Sequence, residues 1–160
     1  MEQKLSNRRR YLTADELEKL IKAARKGRYG QRDATLMLLM ARHGLRVTEA
    51  VDLRWDQIDF AKGHLHVRRL KGGIHSVHPI QGDELRNLRG LRRDQDPESA
   101  FVFTTERGGP MTRSNVGKLA AKRAGLAHCH PHQLRHTCGH LLADAGHDTG
   151  GCNCGLAIPI

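Results

Sequence analysis

The chain has 160 residues, and its Lys and Arg outnumber Asp and Glu by 27 to 17, a formal charge of +10. That length suits one domain with a modest core, and the sequence holds no apolar run of the length a membrane-spanning helix needs. A polyanion, nucleic acid above all, is the natural class of partner for such a charge, the bland alternative being a protein that is merely basic.

The first ten residues, MEQKLSNRRR, are basic, but no apolar stretch follows them as a secretory signal requires, so the cytoplasm is the expected compartment. There the four cysteines, Cys129, Cys138, Cys152 and Cys154, are expected to be reduced rather than paired. Thr13 followed by Glu16 has the spacing of a capping box, and Leu17, Leu20, Ile21 and Ala24 then recur at helical spacing until Gly27. Asp33 to Arg42, DATLMLLMAR, is apolar nearly all round, which predicts a buried helix ended by Gly44. A short helix is expected to start near Thr48, which can cap it.

From Gly63 to Ile80 the chain alternates apolar and polar residues on both sides of Gly72 and Gly73, which predicts a hairpin with a two-residue glycine turn. Leu65, Val67 and Arg69 fall on one face of its first strand. A helix over 82–93, a short strand over AFVFTT (100–105), a turn at ERGGP (106–110) and a helix over 112–124 follow. Pro131 then sits where a first-turn proline is tolerated, opening a last helix towards Ala145. There is no internal repeat and no second-domain linker.

Three stretches carry chemistry. Arg46 lies just after Gly44 at the entrance to a helix, with Glu49 one turn on; a guanidinium beside backbone N–H donors suits a phosphate oxygen, although an Arg–Glu pair three apart is more often a surface ion pair. Lys71 stands at the tip of the predicted hairpin, where its ammonium can reach into a groove and donate a proton, or simply be an exposed turn lysine. In HPHQLRHTCGH (130–140), His132 and Arg135 share one helical face and pair an imidazole with a guanidinium fork. His136 points elsewhere and suits a supporting hydrogen bond. A zinc site is the rival reading of this stretch, but the spacing is poor: there is no CxxC pair, and His132, His136 and His140 offer at most a partial site on a helix.

In this order, GLRVTE around Arg46, Lys71 ahead of GGIHSVHPI, and HPHQLRHTCGHLLADAGHDT with His132 and Arg135 resemble the catalytic domain of the phage-integrase family, the tyrosine recombinases. The resemblance runs from about Tyr11 to Thr149 and is strongest to the small fimbrial-type members. It implies a mainly α fold with a small antiparallel β-sheet, incomplete at its C-terminus, acting on double-stranded DNA by cleavage and rejoining through a phosphotyrosine. It further implies that Arg46 and Arg135 hold the non-bridging oxygens of the scissile phosphate, Lys71 protonates the departing 5′ oxygen, His132 acts as an acid-base or hydrogen-bond partner and Glu49 orients the first arginine and its neighbours. No metal or other cofactor enters that chemistry.

Family members also carry an LGH-like segment and, after it, the nucleophilic tyrosine. This chain has only Tyr11 and Tyr29, both ahead of Arg46, and His147 precedes the position of that segment. Residues 1–149 are therefore expected to form the family domain, and 150–160, GGCNCGLAIPI, a tail outside it. Regrouped from the third base of the Thr149 codon, the back-translated tail can spell Leu, Gly and His in sequence, so a frameshift scar is expected, with a genuine variant tail offering a CNC metal ligand as the alternative. Members of the family assemble as tetramers and exchange C-terminal segments, which puts oligomerisation of this chain in question. Three functions stand at this stage: a recombinase domain without its nucleophile, a DNA-binding module or regulator without chemistry, and a zinc-stabilised interaction domain.

Overall fold

The structure, a computed structural model, describes residues 12–68, 75–95 and 97–111. The helices expected over 112–124 and 131–145, the glycine turn of the hairpin, Arg69, the four cysteines and the tail 150–160 lie outside the described residues.

Helix α1 (Ala14–Arg25) starts at the expected capping box: Glu16 donates its N–H to the Thr13 hydroxyl at 3.3 Å, and the Glu16 carboxylate accepts the Thr13 N–H at 3.0 Å. Its buried residues are Leu17, Leu20, Ile21 and Ala24. Helix α2 (Gly30–His43) begins three residues before the predicted Asp33. Gly30 makes this early start possible, because a Cβ there would collide with the backbone carbonyl of Arg25. The helix ends as expected at Gly44, whose φ of 61° is left-handed. Every residue from Ala34 to His43 is buried, and α2 packs against α1 on one side and against α4 (Gly82–Asp94) on another. An apolar stripe that wraps the whole helix is what a central helix needs.

Helix α3 is Val47–Val51. Its N-cap is Arg46 rather than the expected Thr48, because Glu49, three residues on, accepts the Arg46 N–H at 2.9 Å and so fixes the first turn two residues earlier. A 3-10 turn at Trp55–Gln57 leads into a three-stranded antiparallel sheet of β1 (Ile58–Asp59), β2 (His64–Val67) and β3 (Ser76–Pro79), in the order β1-β2-β3. Leu65 and Val67 share the buried face of β2 as predicted. In the hairpin His64 lies opposite Pro79 and Val67 opposite Ser76.

The stretch 100–105 is not the strand expected of it. It makes two isolated bridges, Arg54 with Phe101 and Thr104 with Pro110, and lays its backbone against 53–55 through Val102 N–H to Leu53 (2.9 Å) and Trp55 N–H to Ala100 (3.0 Å). Val102 and Phe103 are both fully buried, so consecutive side chains fill the core instead of alternating. The turn at 106–110 is present, with Gly108 at φ 82°. Leu17, Leu20, Leu39, Leu65, Leu88 and Phe103 meet in one core, each side chain worth about 1.5–3 kcal/mol on burial. Among the described residues no helix is long and apolar enough to cross a membrane.

Candidate functional site

The end of α2 and the start of α3 place two arginines four residues apart in opposite surroundings. Arg46 is exposed, and its guanidinium forms no ion pair among the described residues. Its backbone is held: Leu45 before it is 1% exposed, and the buried carboxylate of Glu49 takes its N–H. Glu49 therefore supports Arg46 through the main chain, and the surface ion pair considered for these two residues is not formed. Helix α3 has only five residues, so its dipole adds little, and any hold on an anion falls to the guanidinium itself.

Arg42, by contrast, is 2% exposed and donates from both terminal nitrogens to Asp83, at 2.7 and 2.9 Å, while its Nη1 also lies 3.5 Å from Glu84. Hydrogen bonding to the Arg42 guanidinium holds the Asp83 carboxyl below its ordinary value of 3.8; partial burial opposes this, and the Arg42 charge reinforces it. Glu84 accepts the Gln81 N–H at 2.8 Å and lies 2.8 Å from His43 Nε2. His43 Nδ1 faces His78 Nδ1 at 3.1 Å, and His78 Nε2 lies 2.9 Å from the Ser76 hydroxyl. This network joins α2, β3 and α4. The sequence reading missed all of it, though two signals were present: Gln81 and Glu84 have capping-box spacing, and His78 falls on the inward face of β3, opposite Leu65.

Of the predicted site residues, the structure describes Arg46 and Glu49 and brings them together; Lys71, His132, Arg135 and His136 lie outside the described residues. Tyr29 sits at the far end of α2 from Arg46, about 20 Å away at 1.5 Å per residue. Its ring is covered by Arg32 at 4.4 Å, and its hydroxyl is buried without a hydrogen-bond partner among the described residues. The arginines of α4 form a second basic region. Arg86, Arg89, Arg92 and Arg93 are exposed, and Arg92 lies 5.7 Å from the Trp55 ring and 5.6 Å from that of Phe60, which stack on each other at 6.3 Å. Part of this arginine surface thus covers aromatic rings. The described residues hold no cluster of three or more potential metal ligands; the His- and Cys-rich stretch 128–140 lies outside them.

Comparison with known proteins places this geometry. The family model described as the phage integrase family matches residues 10–151. The type 1 fimbriae regulatory protein FimE of Escherichia coli (strain K12) is 36% identical over 152 residues, covering 89% of this chain and 77% of that protein. FimB of the same strain is 37% identical over 158 residues, with coverage of 93% and 79%. Tyrosine recombinase XerC of Xanthomonas campestris pv. campestris (strain B100) is 31% identical over 141 residues, covering 84% of this chain and 44% of its own. Among solved structures, the XerA recombinase superposes with a TM-score of 0.76 at 24% identity, over 92% of this chain and 57% of that one. XerH bound to its difH substrate superposes with a TM-score of 0.72 at 21% identity, over 88% of this chain and 45% of that one. The chain thus spans about three-quarters of the fimbrial proteins and about half of the solved recombinase chains, and it shares the fold of their catalytic domains.

Proposed function

Because the chain belongs to the phage integrase family, the tyrosine recombinases of site-specific DNA recombination, we propose that it binds duplex DNA with Arg46 on a non-bridging oxygen of the phosphate at the cleavage position. Arg135 takes the other oxygen, Lys71 faces the departing 5′ oxygen as proton donor, and His132 exchanges the proton of the attacking group. Glu49 fixes the main chain of Arg46, and His136 supplies a hydrogen bond behind Arg135. The observation that carries this reading is the contrast around Gly44: Arg42 is neutralised by two carboxylates, whereas Arg46 is held at its backbone and left with its charge in solvent. In this reading residues 1–149 form the recombinase domain, 150–160 stand apart from it, and the protein works in the cytoplasm.

These 160 residues supply neither the LGH-like segment nor the nucleophilic tyrosine that follows it in the family. Tyr11 lies well ahead of the motif, and Tyr29 is at the wrong end of α2 with its hydroxyl buried. The 160-residue polypeptide therefore binds DNA without cutting it. A shift assay on duplex DNA tests the first half: affinity falls by orders of magnitude between about 50 and 200 mM salt, and R46A lowers both the affinity and, by about one, the slope against log salt. Trapping on nicked duplex tests the second half, with no covalent product expected. Salt-independent binding, or a phosphotyrosine mapped to Tyr11 or Tyr29, overturns the proposal.

A further inference from the structure

We infer that Ser76, His78, His43 and Glu84 form a positioning relay that fixes the α2–α3 junction, and with it Arg46, against β3 and α4; this rests on the reading of Arg46 as a phosphate-holding residue. The chain of contacts is continuous: Ser76 Oγ to His78 Nε2 at 2.9 Å, His78 Nδ1 to His43 Nδ1 at 3.1 Å, and His43 Nε2 to Glu84 Oε1 at 2.8 Å. Both imidazoles and the carboxylate are buried, at 1% exposure or less.

The chemistry gives the chain a direction. Glu84 accepts the Gln81 N–H at 2.8 Å through Oε2 and faces Arg42 Nη1, so as a carboxylate it requires His43 Nε2 to carry a hydrogen. In the neutral ring His43 Nδ1 is then an acceptor, and His78 Nδ1–H must be the donor across the 3.1 Å contact. His78 Nε2 becomes the acceptor, and Ser76 donates its hydroxyl hydrogen to it. Each tautomer is set by its neighbour, which gives the pair a single low-energy orientation. A relay of this kind matters for Arg46 because His43 is the last residue of α2, Gly44 turns the chain, and Leu45 is buried before Arg46 caps α3. Displacing the His43 ring from His78 therefore shifts the only described segment that carries a site residue.

The ring-to-ring bond can be observed directly as a scalar coupling between the Nδ1 nuclei of His43 and His78 in the 15N-labelled protein; its absence overturns the inference. The functional arm is a double-mutant cycle on duplex DNA. H78F removes the ring contacts to Ser76 and His43 and weakens binding by about threefold or more, whereas H78N, whose amide occupies the Nδ1 position, restores the link to His43 and most of the affinity. In an R46A background H78F weakens binding no further, because there is no guanidinium left to position. Additive losses of H78F and R46A, or full affinity in H78F, overturn the relay while leaving the reading of Arg46 intact. Full affinity in R46A alone overturns that reading and the relay with it. Should H78F not fold, S76A carries the same cycle at the partly exposed end of the chain, with S76T restoring the hydroxyl.

Discussion

Arg42 and Arg46 are one turn of chain apart and use the same side chain for opposite purposes. At Arg42 the guanidinium is enclosed and its charge is cancelled where it stands, by Asp83 in a two-pronged contact and by Glu84 behind it. At Arg46 the carboxylate that could have cancelled the charge, Glu49, binds the backbone instead. On the reading proposed for Arg46, a cation kept for a ligand has to be protected from the protein's own acids, and the position of Glu49, buried beneath the N-cap, achieves that. The difference between the two arginines is not set by their immediate neighbours, Ala41 and His43 for one and Leu45 and Val47 for the other. It is in which carboxylates the fold brings to them, from 41 residues away for Arg42 and from three for Arg46.

The contrast predicts a wide spread of effects. R42M should be the most damaging: it removes the cation from two carboxylates, one of them fully buried, and should cost about 3–5 kcal/mol in urea unfolding. A cost below about 1 kcal/mol would mean that Arg42 is dispensable and the comparison is wrong. T13A, which removes the hydroxyl from the α1 capping box on the opposite side of the core, should cost about 1 kcal/mol and serves as a calibration of an ordinary local interaction. D83N should act mainly in acid. The folded-state value of Asp83 is depressed, so its contribution is complete above the ordinary value of 3.8 and is lost as pH falls through the lowered one. The unmodified protein should accordingly lose stability below that pH more steeply than D83N, and parallel acid profiles would count against the Arg42–Asp83 pair. R46A should be the mildest for folding, within about 0.5 kcal/mol, although it is the variant expected to matter most on DNA.

Local periodicity and caps were enough to anticipate α1, α2, α4 and the β2–β3 pair, because each rests on contacts within a few residues or on a plain alternation. Where the expectations failed, a longer-range contact decided. The segment 100–105 reads as a strand, but its first half bonds to 53–55 and its second half to 109–110 as separate bridges, a pairing that its own sequence does not specify. The helix start at Thr48 gave way to Arg46 because the Glu49 carboxylate, at the third position, takes the Arg46 N–H. Of the candidate site, Arg46 and Glu49 were singled out by their spacing and by the family pattern. The histidine pair was not, since His43 and His78 are 35 residues apart and each, alone, looks like an ordinary polar residue in an apolar element.

On the phosphate-holding role proposed for Arg46, the left-handed Gly44 and the Glu49 bond have a thermodynamic consequence for ligand capture. With φ at 61° in Gly44, Leu45 packed away and the Arg46 amide already satisfied, little backbone freedom remains to be lost when an anion arrives. What is ordered on binding is the set of side-chain torsions of Arg46, worth about 0.5–1.5 kcal/mol, rather than a loop. Association at this end of the site should then show a small entropic penalty and an affinity governed by ions in solution more than by temperature, as expected of a receptor whose shape is settled before its ligand comes.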